Sequence, residues 1–311
     1  MKKDVPTIAV VGSSNMDLVV KSKRIPATGE TILGGDFIMV PGGKGANQAV
    51  AAAKLGVRVF FIAKLGDGIF GSQSLNNFKK ESVNTKYVLQ TEEAPFGVAL
   101  IMVDDEGNNI IVVAPGANHK LMPEDVKEAE SDIASSGALV AQLEVPIETI
   151  EFAAELANKS KVPFILAPAP AQKLSPKLLN MVDVLTPNET EARILTEIEV
   201  TDQTNAEAAA RKLLECGVKN VILTMGASSY LLADKEGTEF VAAKKVTAAE
   251  STAAGDAFTG SLAVGLAQGQ TLSEAALFAN DVAAVSVTKM GAQPSMPTLQ
   301  EVESFIHEMK Q

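Results

Sequence analysis

The stretch ANQAVAAAKLGVRVFFIA, residues 46–63, contains the alternation that decides the fold. Residues 46–55 are rich in alanine and predict a helix that ends at Gly56, and residues 57–63 are mostly apolar and predict a buried strand. A similar strand, TIAVV, precedes them at residues 7–11. Further short strands are predicted at residues 139–143, 164–167, 184–186 and 221–224, and further helices at residues 147–160, 189–195 and 205–215. This order predicts an α/β fold with a doubly wound, mostly parallel sheet that is flanked by helices.

Two regions interrupt the alternation of strands and helices. Residues 17–40 contain short β-type pieces, and residues 96–113 read as a hairpin whose turn lies in DDEGNN, residues 104–109. We expect both to form a small second sheet that projects from the main one. Residues 257–289 are almost purely helical in pattern. Because we find no repeat and no long linker, the sequence predicts a single domain over residues 1–311.

Composition limits the partners that this protein can have. The 27 basic and 38 acidic residues give a formal net charge of −11, which disfavours nucleic acid and anionic membranes as partners. No apolar stretch reaches about 18 residues without a charge, and the amino terminus carries no secretory pattern, so we expect a cytoplasmic protein. The single cysteine, Cys216, excludes an internal disulfide and is predicted to be a small core residue.

The strongest local signal is STAAGDAFTG, residues 251–260, where small residues open directly into an apolar helix. Small residues at a helix start leave backbone N–H groups bare, and the helix dipole favours an anion there. Asp256 would place a carboxylate beside that anion, where it could accept a proton from an attacking hydroxyl. The alternative is an ordinary capping aspartate.

A second signal is PGGKGAN, residues 41–47, which leads into the first predicted helix. Its three glycines would let a ligand approach the backbone closely, and Lys44 and Asn47 would offer a cation and an amide to a hydroxyl-bearing substrate. The spacing is not that of a Walker A loop, because no Ser or Thr follows the lysine. The alternative is a flexible glycine-rich turn.

Weaker signals follow predicted strands. GSSNMD, residues 12–17, stands at the carboxyl end of the first strand, where Asn15 and Asp17 could bind a ligand or simply form a turn. NETE, residues 188–191, is explained equally well by a helix cap. GDGIFG, residues 66–71, matches the dinucleotide-binding pattern, but we interpret it as a strand-to-helix turn capped by its aspartate. His119 and His307 are too far apart in sequence pattern to suggest a histidine metal site or a Ser-His-Asp triad.

Seven motifs occur in one order along the chain: GSSNMD (12–17), PGGKGAN (41–47), QLE (142–144), TPNE (186–189), TMGASS (224–229), AAGD (253–256) and GAQPS (291–295). With these motifs the chain resembles the ribokinase-like (PfkB-type) carbohydrate kinase family over essentially its whole length. The resemblance implies that Asp256 is the general base and that the amides of Ala253, Ala254 and Gly255 stabilise the transferring phosphoryl group.

The resemblance also implies the residues of two binding sites. The sugar would be held by Asn15, Met16, Asp17, Gly43, Lys44, Gly45, Ala46, Asn47, Glu144 and Asp256. ATP would be held by Asn188, Thr224, Met225, Gly226, Ala227, Ser228, Ser229, Gly255, Asp256 and Asn280.

The metal ions implied by the resemblance are Mg²⁺ and a monovalent cation, normally K⁺. Glu191 would help to order Mg²⁺ and its waters. The monovalent cation would be bound by Glu250, Thr252, Ser286, Lys289, Gly291 and Ser295. The family usually has an aspartate at the position of Glu250, so we expect K⁺ activation to be weakened or altered here, because cation selectivity depends on cavity size and ligand reach. The alternative is that the longer carboxylate reaches the same site through another rotamer.

The activity implied by the resemblance is ATP-dependent phosphorylation of a small sugar, with the 5-hydroxyl of D-ribose as the leading expectation. A carboxylate at Glu144 would repel a sugar that is already phosphorylated. A kinase for 2-deoxyribose or fructose, a catalytically silent sugar-sensing relative and, on GDGIFG alone, an NAD-dependent oxidoreductase stay open. The resemblance further implies that the β segments of residues 17–40 and 96–113 form a lid over the sugar, and that a homodimer forms through this lid.

Overall fold

The computed structural model describes residues 5–309, except residues 107, 227, 228, 243 and 245. Its strands are β1 (Thr7–Val11), β2 (Asn15–Lys21), β3 (Phe37–Gly42), β4 (Arg58–Gly66), β5 (Asn84–Thr91), β6 (Gly97–Val103), β7 (Asn109–Ala114), β8 (Ala138–Gln142), β9 (Phe164–Ala167), β10 (Val184–Leu185), β11 (Asn220–Met225), β12 (Ser229–Ala233) and β13 (Thr238–Val241). Its helices are α1 (Lys44–Lys54), α2 (Ile69–Lys80), α3 (Pro123–Lys127), α4 (Glu130–Ala134), α5 (Ile147–Ser160), α6 (Pro176–Leu179), α7 (Glu189–Thr196), α8 (Gln203–Glu215), α9 (Ala254–Ala267), α10 (Leu272–Ser286) and α11 (Leu299–Glu308), and short 3-10 helices span Gly116–Lys120 and Gln293–Ser295.

The main sheet has nine strands in the order β13-β12-β11-β10-β9-β8-β1-β4-β5. It is parallel from β11 to β5, while β12 pairs antiparallel with β11 and β13 pairs antiparallel with β12. Strands β8 and β9 are buried along their whole length, because helices cover both faces of the sheet. One hydrophobic core lies against α1, α9 and α10, and the other against α5 and α8. The predicted doubly wound α/β fold is confirmed.

The second sheet has four strands in the order β3-β2-β6-β7. Strands β2 and β6 are parallel, and β3 and β7 pair antiparallel with them. The hairpin predicted over residues 96–113 is present as β6 and β7, and Asp104 Oδ1 accepts hydrogen bonds from the amides of Glu106 and Asn108 in its turn. Strand β2 follows β1 after three residues, so the second sheet begins at the carboxyl edge of the main sheet.

The carboxy-terminal helical region forms two helices instead of one. Helix α9 ends before Gly269, whose φ of +83° suits a reversal, and Thr271 and Glu274 form a capping box at the start of α10. No helix in the described ranges has the length and apolar composition needed to cross a membrane.

Two local predictions are wrong. Cys216 is exposed instead of being a core residue, because it lies at the carboxyl end of α8, where the amphipathic helix turns its face to solvent. The turn in GDGIFG does join a strand to a helix, but Asp67 does not cap α2. The capping position is held by Gly68 with φ +99°, and no side chain caps this helix.

Candidate active site

Helix α9 begins at the carboxyl edge of the main sheet with an unusual backbone. Its capping residue, Ala253, has φ +63° and ψ +12°, a left-handed conformation that costs a residue with a side chain about 1–2 kcal/mol. The amide of Ala254 donates to Ser251 O at 3.2 Å. The next two amides, of Gly255 and Asp256, have no acceptor in the described part of the chain, and a Cβ atom at Gly255 would contact nothing within 4 Å. Open N–H groups at a helix start are suited to an anion.

The Asp256 carboxylate lies in the first turn of this helix and is 7% exposed. Its Oδ2 atom accepts a hydrogen bond from Asn47 Nδ2 at 2.9 Å, and its Oδ1 atom accepts one from Gln48 Nε2 at 2.9 Å. Asn47 and Gln48 are neighbours on α1, so the predicted glycine-rich motif and the predicted anion motif meet in space. The two amide donors fix the plane of the carboxylate.

A cavity of about 490 Å³, called the acceptor cavity below, opens on one side of Asp256. Its polar wall is formed by Asn15, Asp17, Gly43, Lys44, Asn47, Glu144 and Asp256. Apolar side chains of the second sheet, including Ala99, Ile111 and Val113, form the facing wall. Of the residues predicted to hold a sugar, Met16, Gly45 and Ala46 are buried beneath this wall and do not line the cavity.

A second cavity of about 740 Å³, the donor cavity, lies on the other side of the α9 start. Its polar lining includes Asn188, Thr224, Met225, Gly226, Ser229 and Asn280. The predicted residues Ala227 and Ser228 lie outside the described residues. Phe258, Ala283 and Val287 add an apolar wall of the kind that suits an aromatic ring. Asn280 is 1% exposed, and its Nδ2 atom finds no partner among the described residues.

A third, smaller space of about 220 Å³ joins these two cavities. It shares Lys44 and Asp256 with the acceptor cavity, and Asn188, Thr224 and Gly255 with the donor cavity. The passage between the cavities therefore runs directly in front of the open amides of α9. A group that moves from a molecule in one cavity to a molecule in the other would pass this point.

The charges around the passage are strongly coupled. Burial lowers the pKa of the Lys44 ammonium, but the carboxylates of Asp256, Glu144 and Glu191 outweigh burial and leave that pKa above its usual value. Burial, with the nearby carboxylates of Glu144 and Asp256, raises the pKa of Asp17 to about 7. Burial is also the main reason why the pKa of Glu191 is raised. The site thus contains the ammonium group of Lys44 and several carboxyl groups.

The glycines of PGGKGAN are required by the packing of the protein itself. A Cβ atom on Gly43 would lie 2.6 Å from Asn15 N, and one on Gly45 would lie 2.6 Å from Ser13 N. A Cβ atom on Gly42 would lie 2.3 Å from Asp17 Oδ2. The glycines therefore allow close contact with the protein segment that follows β1. Gly43 also lines the acceptor cavity, so the approach of a ligand to this backbone stays a prediction.

Several residues that support the site were missed in the sequence. Ser13 Oγ donates to Glu144 Oε2, which also accepts the Lys44 amide at 3.0 Å. Asn118 holds the segment after β1 through three hydrogen bonds, to Ser14 N, Ser14 O and Asn15 Oδ1. Ser13 stands in the GSSNMD motif and therefore had a sequence signal, whereas Asn118 stands in no motif.

The predicted helix cap at α7 is present and also belongs to the site. Asn188 Oδ1 accepts the Glu191 amide at 2.8 Å, and Glu191 Oε2 accepts the Asn188 amide at 3.0 Å. Both residues line the passage. The NETE motif therefore forms a helix cap and also contributes residues to the wall of the passage.

The residues predicted to bind a monovalent cation lie around the loop after α10. Glu250 Oε2 accepts the Gly291 amide at 2.7 Å, so this carboxylate reaches the loop that carries Gly291 and Ser295. Ser286 and Ser295 are buried, and Thr252 lines the acceptor cavity with the loop residue Ala292. The Lys289 side chain pairs with Glu301 at 2.6 Å, so only its backbone is available to a cation. Carboxylate, hydroxyl and carbonyl oxygens are the ligands that hard cations prefer.

Comparisons with known proteins identify the family of this chain. Residues 5–299 match the model of the family described as pfkB family carbohydrate kinase. A ribokinase from Haemophilus influenzae is 41% identical over 300 residues, which are 96% of this chain and 98% of that protein. A deoxyribokinase from Salmonella typhi is 38% identical over 300 residues, with the same two shares. The structure of Arabidopsis thaliana ribokinase complexed with ribose and ATP has a TM-score of 0.88 and 31% identity, and the alignment covers 97% of this chain and 98% of that one.

Proposed function

The chain belongs to the pfkB family of carbohydrate kinases, and on that premise we propose that it transfers the terminal phosphoryl group of ATP to the 5-hydroxyl of D-ribose. The observation that carries this proposal is the meeting of the two cavities at the open amides of Gly255 and Asp256. A two-substrate transfer needs this geometry, because phosphoryl transfer depends on in-line positioning and charge stabilisation more than on covalent chemistry by the protein.

In the proposed reaction the sugar occupies the acceptor cavity with its 5-hydroxyl beside Asp256. The hydroxyl oxygen forms a bond to the terminal phosphorus of ATP, the bond from that phosphorus to ADP breaks, and the hydroxyl proton passes to the Asp256 carboxylate. The amides of Ala253, Gly255 and Asp256 would face the migrating group and stabilise its charge. The Ala254 amide, which was expected to share this role, donates to Ser251 O at 3.2 Å and would have to give up that hydrogen bond to do so. Lys44 lines both the acceptor cavity and the passage, where its ammonium adds positive charge.

We assign the remaining polar residues of the acceptor cavity to the sugar. Asn15, Asp17 and Glu144 offer an amide and two carboxylates to sugar hydroxyls, while Met16, Gly45 and Ala46 support this wall from beneath. The ATP site would comprise Asn188, Thr224, Met225, Gly226, Ser229 and Asn280 of the donor cavity, and the predicted Ala227 and Ser228 remain part of the proposal. The unpaired Asn280 amide would find its partner on the nucleobase.

Two metal ions belong to the same proposal. Mg²⁺ would be held through waters near Glu191 and would neutralise the charge of the polyphosphate. K⁺ would be held by Glu250 and Ser295 with the backbone at Thr252, Ser286, Lys289 and Gly291, and its charge would support the segment that leads into the open amides. The oxygen-rich side chains at both places fit hard cations.

We further propose that the second sheet is a lid of a single kinase domain, and that this lid also forms a homodimer. The alternation along β6 and β7 turns Ala99, Ile111 and Val113 toward the acceptor cavity. It turns Leu100 and Val112, which are 53% and 60% exposed, to the opposite face together with Phe37. An apolar outer face on a lid fits a second copy, because apolar surface is favoured away from water. The single cysteine and acidic surface support a cytoplasmic location.

The relatives support one alternative substrate. Since a deoxyribokinase is 38% identical to the chain, a kinase for 2-deoxyribose is the second candidate, and recognition of the 2-hydroxyl would decide between the two sugars.

The test is ADP release with D-ribose, 2-deoxy-D-ribose and D-fructose, together with identification of the phosphorylated carbon by phosphorus NMR. We expect the highest kcat/KM with D-ribose and a 5-phosphate product. Asp256→Asn should lower kcat by about 10³-fold or more while the sugar still binds. Near-normal turnover in this variant, or a clear preference for another sugar, would contradict the proposal.

A further inference from the structure

Two fully buried glutamines lie behind the Asp256 carboxylate, and neither lines any of the three cavities. Gln48 on α1 donates from Nε2 to Asp256 Oδ1 at 2.9 Å. Gln142 at the end of β8 donates from Nε2 to Gln48 Oε1 at 2.6 Å. A continuous line of hydrogen bonds therefore runs from the central sheet, through the first helix, to the carboxylate.

The direction of this line is fixed by chemistry. A carboxylate only accepts hydrogen bonds, so Gln48 must present its amide nitrogen to Asp256 and its oxygen to Gln142. Gln142 must then also present its nitrogen, because a reversed amide would place two oxygens against each other. Each glutamine thus determines the orientation of the next group.

The remaining oxygen of this line, Gln142 Oε1, is buried and has no partner among the described residues. It lies at Gly12, where a Cβ atom would be only 2.0 Å from it. An unpaired buried carbonyl oxygen is unfavourable for stability. Since this unpaired oxygen lowers the stability of the fold, we explain the two glutamines by their effect on the orientation of the Asp256 carboxylate.

The packing of α1 against α9 is also adapted to this line. Gly260 lies one turn after Asp256 on α9, and a Cβ atom there would be 2.6 Å from Gln48 O. The missing side chain lets the two helices approach at the point where Gln48 reaches the carboxylate.

We propose that Gln48, oriented by Gln142, is a positioning residue that holds the Asp256 carboxylate in the plane needed to receive the hydroxyl proton. Asn47 holds the other carboxylate oxygen but also lines the acceptor cavity, whereas Gln48 can act only through Asp256. This inference rests on the proposed function of Asp256 as the proton acceptor.

The experiment compares Gln48→Met, Gln142→Met and the double variant in steady-state kinetics with ribose and ATP. Methionine keeps the length of the side chain and removes its hydrogen bonds. We expect Gln48→Met to lower kcat by about 10–100-fold with both KM values within about threefold of wild type, because misplacement of a catalytic group affects the chemical step. Gln142→Met should lower kcat by about 3–10-fold. The double variant should match Gln48→Met within about twofold, since Gln142 acts only through Gln48.

The exposed Gln73→Met on α2 is the matched control and should behave as wild type. Melting temperatures of all variants separate loss of folding from loss of positioning. Full additivity in the double variant, or unchanged kcat in Gln48→Met, overturns the proposal. If Gln48→Met does not fold, Gln48→Leu removes the donor without adding an ionisable group, and turnover within threefold of wild type in that variant overturns it equally. Failure of the proposed function is distinguishable, because wild type itself would then release no ribose-dependent ADP.

Discussion

Asn118 Nδ2 lies 2.7 Å from Asn15 Oδ1, and this hydrogen bond connects the turn after the lid hairpin with the polar wall of the acceptor cavity. The same nitrogen lies 3.2 Å from Ser14 O, so it donates to two oxygens at once. The end of the lid and the end of β1 are thus held together by one buried amide. The polar wall of the acceptor cavity therefore depends on a residue that has no place in any of the sequence motifs.

Asn118→Asp should weaken sugar binding. The variant replaces the donating nitrogen with a charged oxygen that faces the two acceptor oxygens, and like-charged atoms repel. We expect KM for ribose to rise about tenfold or more, with kcat changed by less than about threefold, because Asp256 is not displaced. Steady-state kinetics measure both constants. The exposed Asn76→Asp on α2 is the control, and an unchanged KM in Asn118→Asp would show that this amide does not shape the wall.

Asp17→Asn should stabilise the unliganded protein more at pH 8 than at pH 5. Burial and the neighbouring carboxylates raise the pKa of Asp17 from 3.8 to about 7, so the folded protein holds a proton that the unfolded chain releases. The stability contribution of this carboxyl is therefore fully present below pH 3.8 and is lost progressively as pH rises from there through about 7. Since each pKa unit corresponds to about 1.4 kcal/mol, the gain from the variant at pH 8 is at most about 4 kcal/mol.

Denaturant unfolding of wild type and Asp17→Asn between pH 5 and pH 8 measures this difference. The exposed Asp105→Asn serves as the control and should give parallel curves. A constant difference between Asp17→Asn and wild type over this range contradicts the raised pKa.

Gly43→Ala should lower the free energy of unfolding and raise the KM for ribose far more than Gly56→Ala, although both glycines have φ near +90°. A Cβ atom at Gly56 meets nothing within 4 Å, so this variant bears only the left-handed strain of about 1–2 kcal/mol. A Cβ atom at Gly43 would in addition lie 2.6 Å from Asn15 N and push the acceptor wall apart. We expect at least a tenfold rise in KM for ribose in Gly43→Ala and unchanged kinetics in Gly56→Ala. If both variants have the same free energy of unfolding and the same KM for ribose, the chain has shifted to relieve the contact between the new Cβ atom and Asn15 N, and the prediction is wrong.

Glu250 should give this kinase an altered response to monovalent cations. Its carboxylate extends to the Gly291 amide at 2.7 Å, and a side chain one methylene shorter leaves more room in the loop. We expect K⁺ activation of wild type to be weaker than in Glu250→Asp, with about a tenfold higher half-saturating K⁺ concentration. Activity and melting temperature in potassium, sodium and caesium chloride measure the response. Glu236→Asp, in an exposed turn, is the control, and strong, ordinary K⁺ activation of the wild type contradicts the prediction.

A charge on the outer face of the lid should separate the proposed dimer. Leu100 and Val112 are cross-strand partners on this face. A carboxylate in the middle of an apolar interface loses its hydration without a partner, which is costly. We expect Val112→Asp to sediment as a monomer at concentrations where wild type is a dimer. Ile69→Asp introduces the same charge at a 70% exposed isoleucine on α2 and should leave the mass unchanged. A wild type that sediments as a monomer contradicts the proposed dimer.

Much of the fold could be predicted because its signals are local. Residues 46–63 alternate helix and strand patterns, and the structure has α1 and β4 there within a few residues of the predicted bounds. The hairpin of residues 96–113 was predicted from its turn, which does bring β6 and β7 together. The wrong predictions concern the environment of single side chains and not the presence of the helices and strands that carry them. Cys216 was assigned to the core, and Asp67 to a helix cap, from sequence neighbours that do not decide which way a side chain faces.

The sequence by itself determined the α/β class, the order of the elements and the residue types that can take part in the chemistry, because periodicity and motif spacing are properties of neighbouring residues. Only the tertiary structure decided which of these residues meet. Asp256 is 208 residues from Gln48, and their hydrogen bond exists because α1 and α9 pack closely at Gly260. Contacts across such distances depend on how whole helices and sheets pack, and no local pattern in the chain records that packing.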